Sequence, residues 1–321
     1  MHRVIVVTPA GRRRYLELLK HYVLADGGVD CWHLWDNCRN ESDRNYIREL
    51  EKTSSKITVL RIPGSDGTNS SVNRYYGNCR DTDVFYIKMD DDIVFLPKNF
   101  SQQLYAKAVE EKERYAWWSP LVINNALCTW LLKYHGRVHI GNNITAQASC
   151  PFSWRSSSFA QALHELFLEE ATRGNLAAFQ VPNSEVSLAR FSINCIGFFG
   201  DFVSRFTQDE FCPPGVDDEE WISAVLPSRA GKPGRIIGDL VVGHYSYFTQ
   251  ERALLRSDVL SRYYKLAKLE MNPSYCQVPA ENPKARLKRW LLSRLLSGSA
   301  KPDIKLLQKP TLELVRLQRS A

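Results

Sequence analysis

The sequence predicts an α/β fold with a mainly parallel central sheet covered by helices. Two observations predict it. Short β-branched apolar runs recur along the first part of the chain, each stopped by turn or polar residues, and between them lie segments whose apolar residues repeat at helical spacing. Such β-α-β-α-β alternation joins parallel strands through helical crossovers and gathers ligands at the carboxyl ends of the strands.

The first strand is Val4-Ile5-Val6-Val7, ended by Thr8-Pro9-Ala10-Gly11. A helix follows from Arg12 to Ala25, with Leu16, Leu19 and Val23 on one face and Gly27-Gly28 closing it. Val29 to Trp35 forms the second strand and delivers Asp36-Asn37 at its end. Ser42 is placed to cap a helix containing Ile47 and Leu50, and Ile57 to Ile62 forms a third strand, stopped by Pro63-Gly64. A helix over 70–80 precedes a fourth strand, Val84 to Met89, which runs into Asp90-Asp91-Asp92 before the apolar Ile93-Val94-Phe95-Leu96. Further on, helices are expected at 98–113 and 158–173, and strands near 116–123, at 193–199 and at Ile236–Val242, while 124–155 has no clear period.

In 321 residues, 44 % hydrophobic and 24 % charged residues exclude a disordered or collagen-like chain. No run approaches the roughly 18 apolar residues of a membrane span, and the chain enters its first strand without a leader, so a cytoplasmic protein is expected. Cys31, Cys38, Cys79, Cys128, Cys150, Cys195, Cys212 and Cys276 form no CxxC pair and read as reduced thiols. Residues 284–321 carry a local charge of +8 against +7 for the whole chain, which leaves −1 for residues 1–283. The basicity thus belongs to a tail, and a nearly neutral body without a nucleic-acid motif gives no expectation of nucleic-acid binding. With no repeat or linker before about residue 277, residues 1–276 are read as one domain and 277–321 as a basic, helical tail.

Three adjacent carboxylates between apolar runs raise each other's pKa unless a cation compensates them. In an extended chain Asp90 and Asp92 point to the same side, with Cα atoms roughly 6.5 Å apart, and can approach one hard divalent cation, Mg²⁺ or Mn²⁺, that also holds substrate phosphates. Bare DxD patterns are common in solvated turns; it is the strand-end position that favours a metal. A second acidic group, Asp217-Asp218-Glu219-Glu220, suits a helix N-terminus, and a carboxylate there can take a proton from a hydroxyl nucleophile, with Trp221 offering a face for a sugar ring. His244 ends the last strand, where a neutral imidazole can complete a metal site.

These pieces, in this order, resemble the GT-A class of nucleotide-sugar-dependent glycosyltransferases, in particular the family 2 group and its relatives. The residues carrying the resemblance are Val4–Gly11, Asn73-Arg74, Asp90-Asp91-Asp92, Asp217–Glu220 and His244, and they span about residues 1–250. The resemblance implies a GT-A-like (Rossmann-like) α/β/α sandwich with a nucleotide-donor half, 1–123, and an acceptor half, 124–276. It implies that Thr8, Pro9, Gly11, Arg12, Asp36, Arg74, Asp90 and Asp91 lie by the nucleotide, and that Asp90, Asp92 and His244 hold the metal. It also implies a catalytic base at Asp218, with Glu219 or Asp217 in that role if the register shifts. The expected cofactors are a divalent metal and a nucleoside-diphosphate sugar, and the activity is inverting transfer to a glycan, lipid-linked or other hydroxyl acceptor, as in polysaccharide biosynthesis. Four acids replace the family's usual Glu-Asp pair, and 124–195 matches no part of the pattern.

Two other functions compete. A sugar-phosphate nucleotidyltransferase would use a Gly-rich basic loop after the first strand, whereas Gly11-Arg12-Arg13-Arg14 has one glycine. A non-catalytic nucleotide- or glycan-binding protein would keep the acids for structure alone. In the tail, residues 283–296 combine basic and apolar residues, with Leu287, Leu291 and Leu295 on one face, as in a helix lying on the inner face of a membrane. Trp117, Trp118, Trp130 and Trp154 could serve as sugar platforms, but most of them are expected in the core.

Overall fold

The computed structural model describes residues 2–141, 143–207, 216–271 and 304–306. Its strands are β1 (Arg3–Ala10), β2 (Cys31–Asp36), β3 (Ile57–Leu60), β4 (Val84–Met89), β5 (Ile93–Phe95), β6 (Trp117–Ile123), β7 (Val138–Ile140), β8 (Ser184–Val186), β9 (Cys195–Phe199), β10 (Gly234–His244) and β11 (Ile304–Leu306). The main sheet has the order β3-β2-β1-β4-β9-β6-β10-β5, with β8 also paired to β10. β1, β2, β3, β4, β6 and β10 run in one direction and β5, β8 and β9 in the other, so the sheet is mainly parallel as the alternation predicts. Burial on both faces explains the unbroken apolar runs: every residue of β4, β6 and β9 is buried, and so are all but one of β1's central residues, Val4 to Val7 and Thr8 among them.

Several elements differ from the sequence expectation. β1 continues through Thr8 and Pro9 to Ala10 because β2 accompanies it to Asp36, whereas β4 stops pairing at Val7. Pro9 therefore lies where one neighbour has already left, and its missing N–H breaks no ladder on that side. The helix Glu41–Lys52 is capped by Asn40, whose side chain accepts from the Asp43 amide at 2.9 Å, so Ser42 is already inside the first turn. Segment 70–80 is a short α-turn, Asn69–Val72, followed by a 3₁₀ helix, Asn73–Asn78. Its residues are weak helix formers, and the packing of Tyr75 and Tyr76 on Trp35, at 5.3 and 5.1 Å, decides the local geometry. Within 124–155 lie the helices Ala126–Tyr134 and Pro151–Arg155 and strand β7. The first of these buries Ala126, Cys128, Thr129, Leu131 and Leu132, too wide a spread to leave a readable stripe.

Trp117 and Trp118 are fully buried in the core, as expected, and so is Trp221, packed 5.7 Å from Tyr76. Trp221 is therefore not an open sugar platform. His164 is buried too, its Nε2–H donating to the Tyr245 carbonyl and its Nδ1 accepting from the Tyr263 hydroxyl, each at 2.8 Å. The helix expected over 283–296 lies outside the described residues; Ile304–Leu306, in the same tail, is extended and pairs with β7. Among the described residues no helix is long and apolar enough to cross a membrane.

Candidate active site

The topology brings five chain segments together. The carboxyl ends of β1, β4, β6 and β10 and the start of β9 meet where Asp90, Asp91 and Asp92 cross from β4 to β5, which sits beyond β10. The crossing is pinned at both ends: the Asp90 amide donates to the Asn194 carbonyl and the Tyr245 amide donates to the Asp92 carbonyl, each at 2.9 Å. It is a turn rather than extended chain, closed by Ile93 N–H to the Asp90 carbonyl.

Asp90, Asp92 and His244 each offer a ligand atom to one group, and those atoms lie within 4.8 Å of one another. The His244 tautomer follows from its partners. Nδ1 faces the Asn124 carbonyl at 3.1 Å, which can only accept, so Nδ1 carries the proton and Nε2 presents a lone pair. Nε2 stands 3.3 Å from Asn194 Nδ2 and 3.6 Å from Asp92. Asn194 is oriented in turn, its Oδ1 accepting from Asn125 Nδ2 at 3.0 Å while its own Nδ2 donates to Asp90 at 3.2 Å. Asp92 Oδ2 is buried and takes no hydrogen bond, although Arg12 Nη2 is 3.2 Å away. Two carboxylates, one of them with an orphaned oxygen, and an imidazole lone pair make a donor set that fits a hard divalent cation.

Two cations balance these acids, the buried Lys88 and the half-buried Arg12. Lys88, on β4, donates to Asp90 and to the Ile193 carbonyl, the latter at 2.9 Å, and its charge also acts on Asp218 and Glu219. Burial opposes ionisation of Asp90, yet the Lys88 ammonium and a hydrogen bond from Asn194 hold it below the usual carboxylate range. Arg12 binds Asp91 through Nε at 2.9 Å and Nη2 at 2.5 Å, and reaches Glu251 at 3.5 Å. The Gly11 amide adds a bond to Asp91 at 3.0 Å, so Asp91 ties the β1 loop down while its two neighbours join the cluster. Burial pushes Asp91 up to about 6 against the pull of Arg12, which leaves it ionised at neutral pH. A Cβ at Gly11 would stand 3.1 Å from the Asn37 carbonyl oxygen, which explains a glycine there.

The other residues expected near a nucleotide line the same end of the sheet in varied states. Thr8 is buried and accepts from the Trp32 indole at 3.0 Å. Pro9 is half-buried beside it. Asp36 is buried between Arg44 and Arg61, at 3.4 and 3.5 Å. Arg74 spends its guanidinium on the carbonyls of Pro63 and Gly64, at 3.0 and 2.8 Å.

The acidic group 217–220 begins a helical stretch, Asp218–Glu220, that passes through a π-turn at Trp221–Val225. Asp217 is its N-cap, accepting from the Glu220 amide at 2.8 Å. Arg190 gathers three of the four acids: Asp217 at 2.5 Å, Glu219 at 2.8 Å and Glu220 at 3.6 Å. Among the described residues Asp218 alone of the four has no ion pair; its hydrogen-bond partner is the Tyr76 hydroxyl, at 3.4 Å. Burial lifts the Asp218 carboxyl above the usual range, with Asp90 and Asp217 adding to the lift and Lys88 drawing it back. Burial also pushes Glu219 up to about 7, against Arg190. Asn73 Nδ2 donates to the Val216 carbonyl at 3.4 Å, so segment 73–76 positions the acids from below.

Sequence reasoning missed Lys88, Asn124, Asn194 and Arg190. Lys88 carried a signal, a lysine inside an otherwise apolar strand two residues before an aspartate. Asn124 adopts a left-handed backbone, φ 62°, which asparagine tolerates better than most residues. No local pattern marks Asn194 or Arg190.

No family model matches the chain, and no curated protein does. Solved structures give distant likenesses. A mannosyltransferase from Pyrobaculum calidifontis, in complex with GDP-Man and Mn²⁺, aligns with 92 % of this chain and 81 % of its own at 11 % identity and a TM-score of 0.44. A 4-diphosphocytidyl-2C-methyl-D-erythritol synthase from Anaerococcus prevotii covers 82 % of this chain and 96 % of its own, at 10 % identity and a TM-score of 0.42. An apo UDP-glucose pyrophosphorylase covers 83 % and 99 %, at 9 % and 0.45.

Proposed function

We propose that the chain is a metal-dependent glycosyltransferase, related to the family 2 group, that moves a sugar from a nucleoside-diphosphate sugar to an acceptor hydroxyl by single displacement with inversion. The observation that carries this reading is the pairing of two unlike acidic centres across one buried lysine. One centre is the cluster Asp90, Asp92 and His244, with an imidazole lone pair and an unbonded carboxylate oxygen. The other is Asp218, which Arg190 does not neutralise and whose pKa is raised toward the range useful to a general base.

In this reading Asp90, Asp92 and His244 hold Mn²⁺ or Mg²⁺, which when bound offsets the negative charge of the diphosphate leaving group. The Asn124 carbonyl keeps the His244 proton on Nδ1, and Asn125 orients Asn194 so that Asp90 is held in place. Asp218 accepts the acceptor's proton as its oxygen attacks the anomeric carbon from the face opposite the departing diphosphate. Asp217 caps the helix that presents this carboxylate, and Glu219 shares Arg190 with it. Thr8, Pro9, Gly11, Arg12, Asp36, Arg74 and Asp91 form the nucleotide side, where Arg12 works through Asp91 and Asp92. A nucleotidyltransferase fits less well, because Arg12 is already committed to three carboxylates and is not free to cradle a triphosphate. The remaining parts of the reading are a cytoplasmic location, with the basic tail touching the membrane's inner face, and an acceptor in polysaccharide biosynthesis.

Calorimetric titration of the full chain with UDP, GDP and their sugar conjugates, in Mn²⁺ and then in chelator, tests the donor site. One nucleotide should bind only with metal, and Asp92→Asn should abolish that binding. A folded protein that binds none of them refutes the proposal, and nucleotide binding without transfer to a broad acceptor panel would favour a non-catalytic role.

A further inference from the structure

Among the described residues the large apolar side chains that stand open are Val109, Tyr134, Leu188 and Phe248, and only Phe248 is more than half exposed, at 75 %. It is also four residues beyond His244, at the first position of the helix Phe248–Leu254. Its ring meets Trp154 edge to face, with centroids 5.1 Å apart and planes at 82°. Trp154 in turn lies 6.3 Å from Tyr247, whose ring is 5.2 Å from the His244 imidazole. An aromatic line thus leads from the candidate metal cluster to an open phenyl ring.

Hydrogen bonds fix that line. Thr249 Oγ1 donates to the Trp154 carbonyl at 2.6 Å, and Gln250 Nε2 donates to the Ser153 carbonyl at 2.8 Å. The Gln250 side-chain oxygen accepts from the Tyr247 amide at 3.2 Å and from Asn124 Nδ2 at 3.0 Å. Asn124 is the residue whose carbonyl sets the His244 proton. The fully buried Gln250 therefore ties both rings to the reacting centre through one side chain. Leaving a phenyl ring in water forgoes the gain from its burial, and this open ring does not stand singly but meets a second aromatic ring, Trp154.

We infer that Trp154 and Phe248 form an acceptor subsite, a stacking platform for a sugar ring of a saccharide acceptor. The inference rests on the glycosyltransferase reading and names the substrate class at its acceptor side. A pyranose pairs an apolar C–H face, which an aromatic ring covers, with a rim of hydroxyls that need polar neighbours. Arg155, whose guanidinium lies over the Trp154 ring at 5.7 Å, sets a fixed charge and hydrogen-bond donor beside the open Phe248 ring, a neighbour that suits hydroxyls and not an acyl chain.

The test uses the full chain and saturation-transfer NMR titrations with disaccharides of glucose, galactose, mannose and N-acetylglucosamine. At least one should bind, with the dissociation constant weakened on the order of tenfold in Phe248→Ala and restored in Phe248→Tyr. Circular dichroism checks that the variants fold, and GDP and UDP titrations in Mn²⁺ on the same samples report the donor site separately. No disaccharide binding by a chain that binds nucleotide overturns the platform, as does equal binding by Phe248→Ala. A Phe248-dependent disaccharide signal without any nucleotide binding supports the platform and overturns only the transferase reading. Sedimentation with phosphatidylglycerol vesicles that depends on Phe248, with no disaccharide bound, overturns the inference in favour of a membrane contact.

Discussion

Replacing Lys88 by methionine keeps most of its volume and removes the one cation that touches Asp90 from within the sheet. Lys88 is buried, its ammonium bonded to Asp90 and to the Ile193 carbonyl, with Asp218 and Glu219 close enough to feel its charge. Breaking a buried ion pair by removing one partner costs about 3–5 kcal/mol, and because the Asp90 side chain left behind is 27 % exposed the low end, about 3 kcal/mol, applies here. Lys88→Met should lower the unfolding free energy by about that amount in urea titrations run in chelator. If Asp90 is also a metal ligand, Mn²⁺ offers the carboxylate a second source of positive charge. At a free concentration about 100 times its dissociation constant the ion contributes about 2.7 kcal/mol, so the variant should recover more than half of its loss, and at least as much as the parent gains. A loss under about 1 kcal/mol would refute the electrostatic account of Lys88, and Mn²⁺ indifference in both proteins would refute the metal cluster.

Asp218→Asn should leave metal-dependent nucleotide binding unchanged and cut transfer by about 10²–10⁴-fold, measured as sugar transfer per enzyme at saturating donor. Full activity in Asp218→Asn together with its loss in Glu219→Gln would move the base by one residue. Arg190→Gln should release Asp217, Glu219 and Glu220 together and raise the apparent pKa of the transfer rate's acidic limb, since nearby uncompensated carboxylates disfavour ionisation of Asp218; an unmoved limb would disconnect Arg190 from the base. Burial lowers His164 to about 4 from 6.5, so the unfolded state binds its proton first as pH falls. Stability is therefore fully present above pH 6.5 and falls by about 3 kcal/mol between 6.5 and 4, a slope that urea midpoints should show and that His164→Gln should flatten.

Much of the fold was legible because strands buried on both faces read as apolar runs, as Val4 to Val7 in β1 and Val84 to Ile87 in β4 do, while shorter apolar stretches marked β2 and, on either side of Asp239, β10. Asp90, Asp92 and His244 were legible for a related reason: each sits at the end of such a run, and strand ends converge. Trp221 misled because an aromatic beside acids looks exposed in one dimension, whereas the π-turn rotates it against Tyr76. The helix Ala126–Tyr134 was hidden by burial over too much of its circumference. Arg190 was invisible because its partners lie 27 to 30 positions away, and nothing local to Leu188-Ala189-Arg190 records that three carboxylates will face it.

That arginine bears on how such a site changes over time. Four neighbouring acids are chemically near-equivalent, and which of them is left outside an ion pair is set from a distant segment, by where one guanidinium reaches. A shift in the reach of Arg190 by one acid would pair Asp218 and release another carboxylate, with no change among the acids themselves. The unpaired position is thus a property of the loop around Arg190 as much as of the acidic run, and it can move along that run without any acid being replaced.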